Sequence, residues 1–399
     1  PAAYRILRIS GTGQTKSTSA LLRINQTLNL GGGLLSIGSN NLDIAVGATV
    51  TGTPSSTNMI LANSTGLVRK YFNANGSFTY PFGTTGVYTP AAITFTATTF
   101  TAPAGSRFIA MRPVATVAPN QLDASYSLTK YWDVSSFNIS GTINASFTFT
   151  YSTTERNATA EPIYVGGSYN AGWTTTGTVN IPSSQVSFTG MTSLTRTFTA
   201  GPSVAFTRGQ FYSIADANFE SGSTWSLSGY AGAATVIPPT LGSQINIGNG
   251  KTVTVTAGTK NLSWLIVNSG SILNLSTYTG ISLDSLKGAG TIKISSSGAS
   301  AVFPTIATPA KNTFITTAGS TVEYDGLATF NLPSSITSYR NLAITGSGYT
   351  KSLQAATTVN ESLILNSGLL SLGVYNLDLA VAATVSGSPS VLTMILANS

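Results

Sequence analysis

The sequence predicts an all-β chain: parallel β-solenoid segments interrupted by an aromatic-rich β-sandwich, in a tandem repeat of about 335 residues. Three observations predict this. Short runs alternate apolar and polar residues at period two, and Gly, Asn, Ser or Pro breaks the chain about every eight residues. No stretch carries a convincing amphipathic helix; residues 209–221 (GQFYSIADANFES) offer at most a turn or two. And the chain repeats itself.

The repeat is ungapped. Residues 4–64 align with 339–399 at an offset of 335, with 35 identities in 61 positions. Tyr4-Arg5 returns as Tyr339-Arg340, and Thr15-Lys16-Ser17 returns as Thr350-Lys351-Ser352. Residues 33–54 (GLLSIGSNNLDIAVGATVTGTP) return as 368–389 (GLLSLGVYNLDLAVAATVSGSP), and MILANS at 59–64 returns unchanged at 394–399. One full unit is therefore expected, followed by the opening of a second, as in an array of covalently joined units.

Residues 1–66 are expected to be solenoid. Their strands are short, each with one or two inward aliphatics, and the pair Asn-Leu recurs at 41–42, 261–262, 274–275, 341–342 and 376–377. Stacked coils bury ladders of like residues in this way. Residues 67–207 differ. Eight longer aromatic runs, among them 77–82 (SFTYPF), 107–114 (RFIAMRPV), 127–134 (SLTKYWDV) and 145–152 (ASFTFTYS), predict a sandwich with its own core around Trp132 and Trp173. Residues 208–399 return to the first texture, a connector followed by solenoid, with alternation at 245–255 (INIGNGKTVTV), 271–275, 291–294 and 371–380.

Composition agrees. Of 399 residues only 19 are Lys or Arg and 12 Asp or Glu, whereas Ser contributes 52, Thr 60 and Gly 40. Hydroxyls and amides stack in a ladder, whereas like charges in register repel. With no Cys and no His, the chain has no disulfide, thiolate nucleophile, His-ligated metal or Ser-His-Asp triad. The net charge is +7, but only Arg69-Lys70 are adjacent, so there is no massed basic face for nucleic acid. No apolar run approaches the ~18 residues of a membrane-spanning helix, and no signal peptide is visible.

Several motifs suggest chemistry and are set aside. Residues 248–252 (GNGKT) resemble the tail of a phosphate loop, but the first glycine of that pattern is replaced by Ile245 and a strand follows. Ser127 and Lys130 have SxxK spacing, but in an extended run they face opposite sides. Glu323 and Asp325 are the carboxylates closest in sequence, on one face of a strand expected to lie at an exposed edge. Tyr71, Tyr151, Tyr169, Trp225 and Tyr230 could stack on sugars or pack inside. Asp284-Ser285-Leu286 matches the Asp-Ser/Thr-apolar acceptor pattern, which makes Ser285 a candidate for O-glycosylation.

The order of phrases resembles a known family. Solenoid strands lead to MILANSTGLVRKYF at 59–72, then an aromatic block with KYWDV at 130–134, then GQFYSIADANFESGSTWS at 209–226, INIGNGKTVTV at 245–255 and YRNLAITG at 339–346. This resembles the very large tandem-repeat surface proteins of Bacteroidota that are exported by type IX secretion and include gliding-motility adhesins. The resemblance implies an extracellular, outer-membrane-attached location and a structural or adhesive filament role. Its implied partners are neighbouring repeats of the same chain, laterally associated copies, and surface glycans or substratum. It carries no catalytic motif, cofactor or metal. The alternative is a β-helix polysaccharide-degrading enzyme or a carbohydrate-binding module.

Overall fold

The computed structural model describes residues 2–103 and 105–397. The described chain is all-β: its strands are mostly parallel and form a β-solenoid, and helical structure is limited to 3-10 turns of three residues. It divides into two compact units, Pro1–Thr207 and Arg208–Ser399.

Unit 1 opens with β1 (Ala2–Ile9), β2 (Thr15–Ser17), β3 (Leu22–Leu30), β4 (Leu34–Ser36), β5 (Leu42–Ile44), β6 (Thr49–Gly52), β7 (Ile60–Leu61) and β8 (Val68–Tyr71). β1, β3, β5 and β8 form one parallel ladder, with β6 also on β3, and β2, β4 and β7 form a second. The register is that of stacked coils about 20 residues long: Leu22 lies opposite Leu42 and Leu42 opposite Val68. Leu22, Ile24, Leu42, Ile44 and Val68 point inward and are buried, because alternate residues of a strand share a face.

The ladder does not stop at residue 66. β8 pairs in parallel with β5 and, on its other edge, antiparallel with Phe108–Val114, so the solenoid sheet runs directly into an antiparallel one. That sheet continues through Tyr131–Phe137, Arg196–Pro202, Tyr164–Tyr169, Trp173–Asn180, Gln185–Met191, Ala145–Thr150, Ala91–Phe95 and Gly76–Tyr80. The strand Trp173–Asn180 was not foreseen, because its outer face is a run of threonines rather than aromatics. Trp132, Phe147, Phe149, Phe188 and Phe198 converge from four of these strands; Trp132 and Phe149 lie 4.9 Å apart, as do Phe149 and Phe198. Trp132 is fully buried as expected. Trp173 is only half-buried, and its indole donates to the Asn120 carbonyl at 2.7 Å.

Unit 2 begins with a correction. Residues 209–221 are not a helical turn but two short strands, Gln210–Ser213 and Ala217–Asn218, each stacked in parallel on the next coil. Residues 245–255 likewise split into Gln244–Ile247 and Thr252–Thr254 around a turn in which Asn249 and Gly250 take left-handed φ values of 59° and 72°. Parallel coils then succeed one another to Ile395–Leu396.

The repeat recurs in the backbone residue for residue. Strand Thr357–Leu365 takes the place of β3, Leu369–Ser371 of β4, Leu377–Leu379 of β5, Thr384–Gly387 of β6 and Ile395–Leu396 of β7. The pairing Thr27 to Thr49 becomes Ser362 to Thr384, and Leu35 to Ile60 becomes Leu370 to Ile395. Each copy needs the same glycine. Gly52 and Gly387 have φ of 112° and 110°, and a Cβ there would strike the carbonyl oxygen of Leu30 or Leu365.

Candidate functional site

Charged side chains in this chain gather at the seams between coils. On the outer face of the first seam, Arg23, Asp43 and Arg69 occupy one ladder position on β3, β5 and β8. The order of signs is plus, minus, plus, so register attracts instead of repelling. Asp43 is buried, with Arg69 at 3.7 Å, Arg23 at 3.8 Å and the Tyr71 hydroxyl donating to it at 3.2 Å. Burial, and then the Asp43 charge, push the Tyr71 hydroxyl above its usual range.

One position on, the pattern departs from alternation. The ladder Ile24, Ile44 continues inward as Lys70, which is only 7% exposed. Its ammonium donates to the carbonyls of Ala45 at 2.8 Å and Ala48 at 2.7 Å, in the turn after β5, and lies 5.1 Å from the Phe78 ring. Loss of solvent pushes its pKa down to about 8.

Unit 2 uses the same device. Lys351 donates to the carbonyls of Gly326, at 3.0 Å, and Ala328, in a turn of the preceding coil, with its ammonium 4.3 Å from the Phe330 ring. Its counterpart in the first copy, Lys16, is exposed. Lys130 is fully buried against Glu155 and donates to the Thr89 hydroxyl at 2.8 Å. This engages the lysine of the SxxK spacing. Ser127 sits in a turn, not in an extended strand.

Glu323 and Asp325 are not at an exposed edge. Their strand, Thr321–Tyr324, lies between Thr291–Ile294 and Ser338–Ile344, and both carboxylates face Lys293, at 3.3 Å and 3.6 Å. Tyr324 between them is fully buried, hydroxyl to hydroxyl with Tyr339 at 2.9 Å. Among the aromatics considered for sugar stacking, Tyr151 and Trp225 are core residues, and Tyr71, Tyr169 and Tyr230 are half-buried. Ser285 is 9% exposed and donates to the Lys311 carbonyl at 3.2 Å. It lines a cleft of about 580 Å³ on unit 2 together with Arg208, Ser263, Trp264, Asp284 and Lys311. Among the described residues no three Asp or Glu gather as metal ligands would.

The two copies of the repeat differ in what covers them. On its outer edge β1 has no partner strand among the described residues, and Tyr4 is 44% exposed, whereas its counterpart Tyr339 is buried beneath Thr321–Tyr324. At the other end β5 and β7 are covered by β8 and by Phe82–Thr84, while Leu377–Leu379 and Ile395–Leu396 have no partner strand on that edge among the described residues. Comparisons with protein-family models, with curated proteins and with solved structures find no match.

Proposed function

We propose that this chain is a structural and adhesive segment of an extracellular bacterial cell-surface filament built from covalent tandem repeats, and that it is not a catalyst. The reading is carried by one observation: a segment of about 60 residues, several stacked coils, recurs at an offset of 335 with identical strand register. A catalyst needs one site, whereas a register-preserving duplication serves to extend a stack. In this reading the antiparallel aromatic block at 67–207 is a sandwich inserted into each unit. Inter-coil backbone bonds carry load along the stack, and the low charge keeps neighbouring ladders compatible. Export by type IX secretion and attachment to the outer membrane rest on the resemblance to Bacteroidota surface proteins. Adhesive partners would be surface glycans or the substratum.

Negative-stain imaging of the native material tests this. Thin filaments with a regular axial repeat are expected; isolated globular particles would refute the proposal.

The cleft beside Trp264 favours a second reading, a carbohydrate-binding module. Its single carboxylate, Asp284, among Arg208, Lys287 and Lys311 suits an acidic glycan better than hydrolysis, which requires two carboxyls across the bond. Saturable binding of an acidic polysaccharide that is lost in Trp264→Ala would establish it.

A further inference from the structure

The cleft beside Trp264 opens at one end of a longer polar strip on unit 2. The parallel sheet of Gln210–Ser213, Gln244–Ile247, Lys260–Val267 and Ile281–Lys287 turns Phe211, Ile245, Leu265 and Leu286 into the core, each at most 1% exposed. Their neighbours along each strand therefore face outward. In register, Gln210 lies opposite Gln244, Gln244 opposite Trp264 and Trp264 opposite Ser285. A parallel row runs through Tyr212, Asn246, Ile266 and Lys287. Three inter-strand steps make each row about 14 Å long. Trp264, Ser285 and Lys287, at one end of the rows, line the cleft.

The side chains of these rows suit sugars. Amides and hydroxyls donate and accept, as sugar hydroxyls require, and aromatic rings take the apolar faces of sugars. Gln210 is exposed and Gln244 half-buried. The Tyr212 hydroxyl donates to Gln210 Oε1 at 2.6 Å, and Tyr212 meets Tyr230 edge to face with ring centroids 5.1 Å apart. Between them and Trp264 stands Asn246, only 8% exposed, whose Nδ2 has no acceptor among the described residues. An unsatisfied buried amide costs stability. Its terminal torsion is soft, so rotation of that amide alone offers the nitrogen to an oxygen lying over the row. The rows hold no carboxylate. In the cleft, Arg208, Lys287 and Lys311 face Asp284 alone, and the Arg208 guanidinium is already oriented by donating to Ser263 Oγ at 2.7 Å.

We propose that the two rows are a binding track for several successive sugars of an acidic polysaccharide. The chain lies along the coil-stacking direction, with one acidic sugar in the cleft against Trp264 and the following sugars across Gln244, Asn246 and Tyr212. The inference rests on the carbohydrate-binding reading of the cleft and deepens it: the ligand is a run of sugars and not a single one. Geometry favours a run, because the cleft takes up only the Trp264 end of the strip. Charge favours an acidic chain, because three cations gather around one carboxylate.

The test is calorimetric titration of the full 399-residue chain with oligogalacturonates of two and of six sugars. The longer oligomer is expected to bind about tenfold more tightly, the worth of two additional hydrogen bonds. Gln244→Ala and Asn246→Val should each weaken binding of the longer oligomer about threefold to tenfold and leave the shorter one unchanged. Asn246→Val also removes the unsatisfied amide, so its thermal midpoint should hold or rise, which separates lost recognition from lost folding. Trp264→Ala should abolish binding of both. Equal affinity for the two lengths, an unchanged affinity of the longer oligomer in Gln244→Ala and Asn246→Val, or a loss shared by both lengths in those variants overturns the track and leaves the cleft reading standing. No binding of either oligomer, or binding that survives Trp264→Ala, refutes the cleft reading and the track with it.

Discussion

Burying the Lys70 ammonium inside a coil has a measurable consequence for stability against pH. In the unfolded chain this lysine titrates at 10.5; in the folded chain it titrates at about 8. Between those values the unfolded chain binds more protons than the folded one, so stability rises with pH in that window. Below it, both states are charged and the folded state bears the full desolvation cost. At about 1.4 kcal/mol per pH unit, the two values translate into a gain of about 2 kcal/mol from roughly pH 7.5 to roughly pH 9.5. This figure is a ceiling, because the Ala45 and Ala48 carbonyls favour the ammonium and offset part of the desolvation. Lys70→Met removes the titrating group while keeping an unbranched stem in the core. Buried Lys130 has its pKa lowered by desolvation, and it contributes equally to both proteins and so cancels. Buried Tyr80, held above its usual range by desolvation, acts in the opposite sense only above about pH 10. Unit 1 can be followed by itself in urea through the methyl signals of Met59, Met111 and Met191. The wild-type gain should exceed that of Lys70→Met by up to about 2 kcal/mol. Equal gains in the two proteins would refute the claim that this ammonium is desolvated at neutral pH.

Three further outcomes follow from the packing. Lys130→Ala strands Glu155 in the core and should cost about 3–5 kcal/mol, whereas Lys130→Met with Glu155→Leu should recover most of that loss; the Met111 methyl signal in urea distinguishes the two. Gly52→Ala should cost more than about 3 kcal/mol, since it combines left-handed strain with a backbone clash, while Gly38→Ala, left-handed but in open space, should cost only about 1 kcal/mol by the Met59 signal. Tyr339→Phe leaves the Tyr324 hydroxyl buried with its partner gone and should cost about 1–3 kcal/mol, seen as faster amide exchange at Val322 and Leu342; the double Phe variant should restore most of it.

Much of the architecture is legible in the chain itself. Period-two alternation, recurrent turn residues and an ungapped repeat suffice for an all-β solenoid, because strand facing and coil stacking are local consequences of side-chain alternation. The two strands around Gly-Asn-Gly read as one run, since alternation continues through a tight turn when its neighbours remain apolar, and the two short strands of 209–221 read as at most a helical turn or two. What the sequence could not reveal was who faces whom across coils. Lys70 reads as one of an adjacent basic pair, yet stacking sends it inward and Arg69 outward. Glu323 and Asp325 read as an edge pair, yet a coil on either side encloses them around Lys293. Alternation along a strand fixes which of its faces is buried, because neighbouring side chains point to opposite sides. Which side chains meet across coils depends on stacking register over twenty or more residues, and only the tertiary structure decides that.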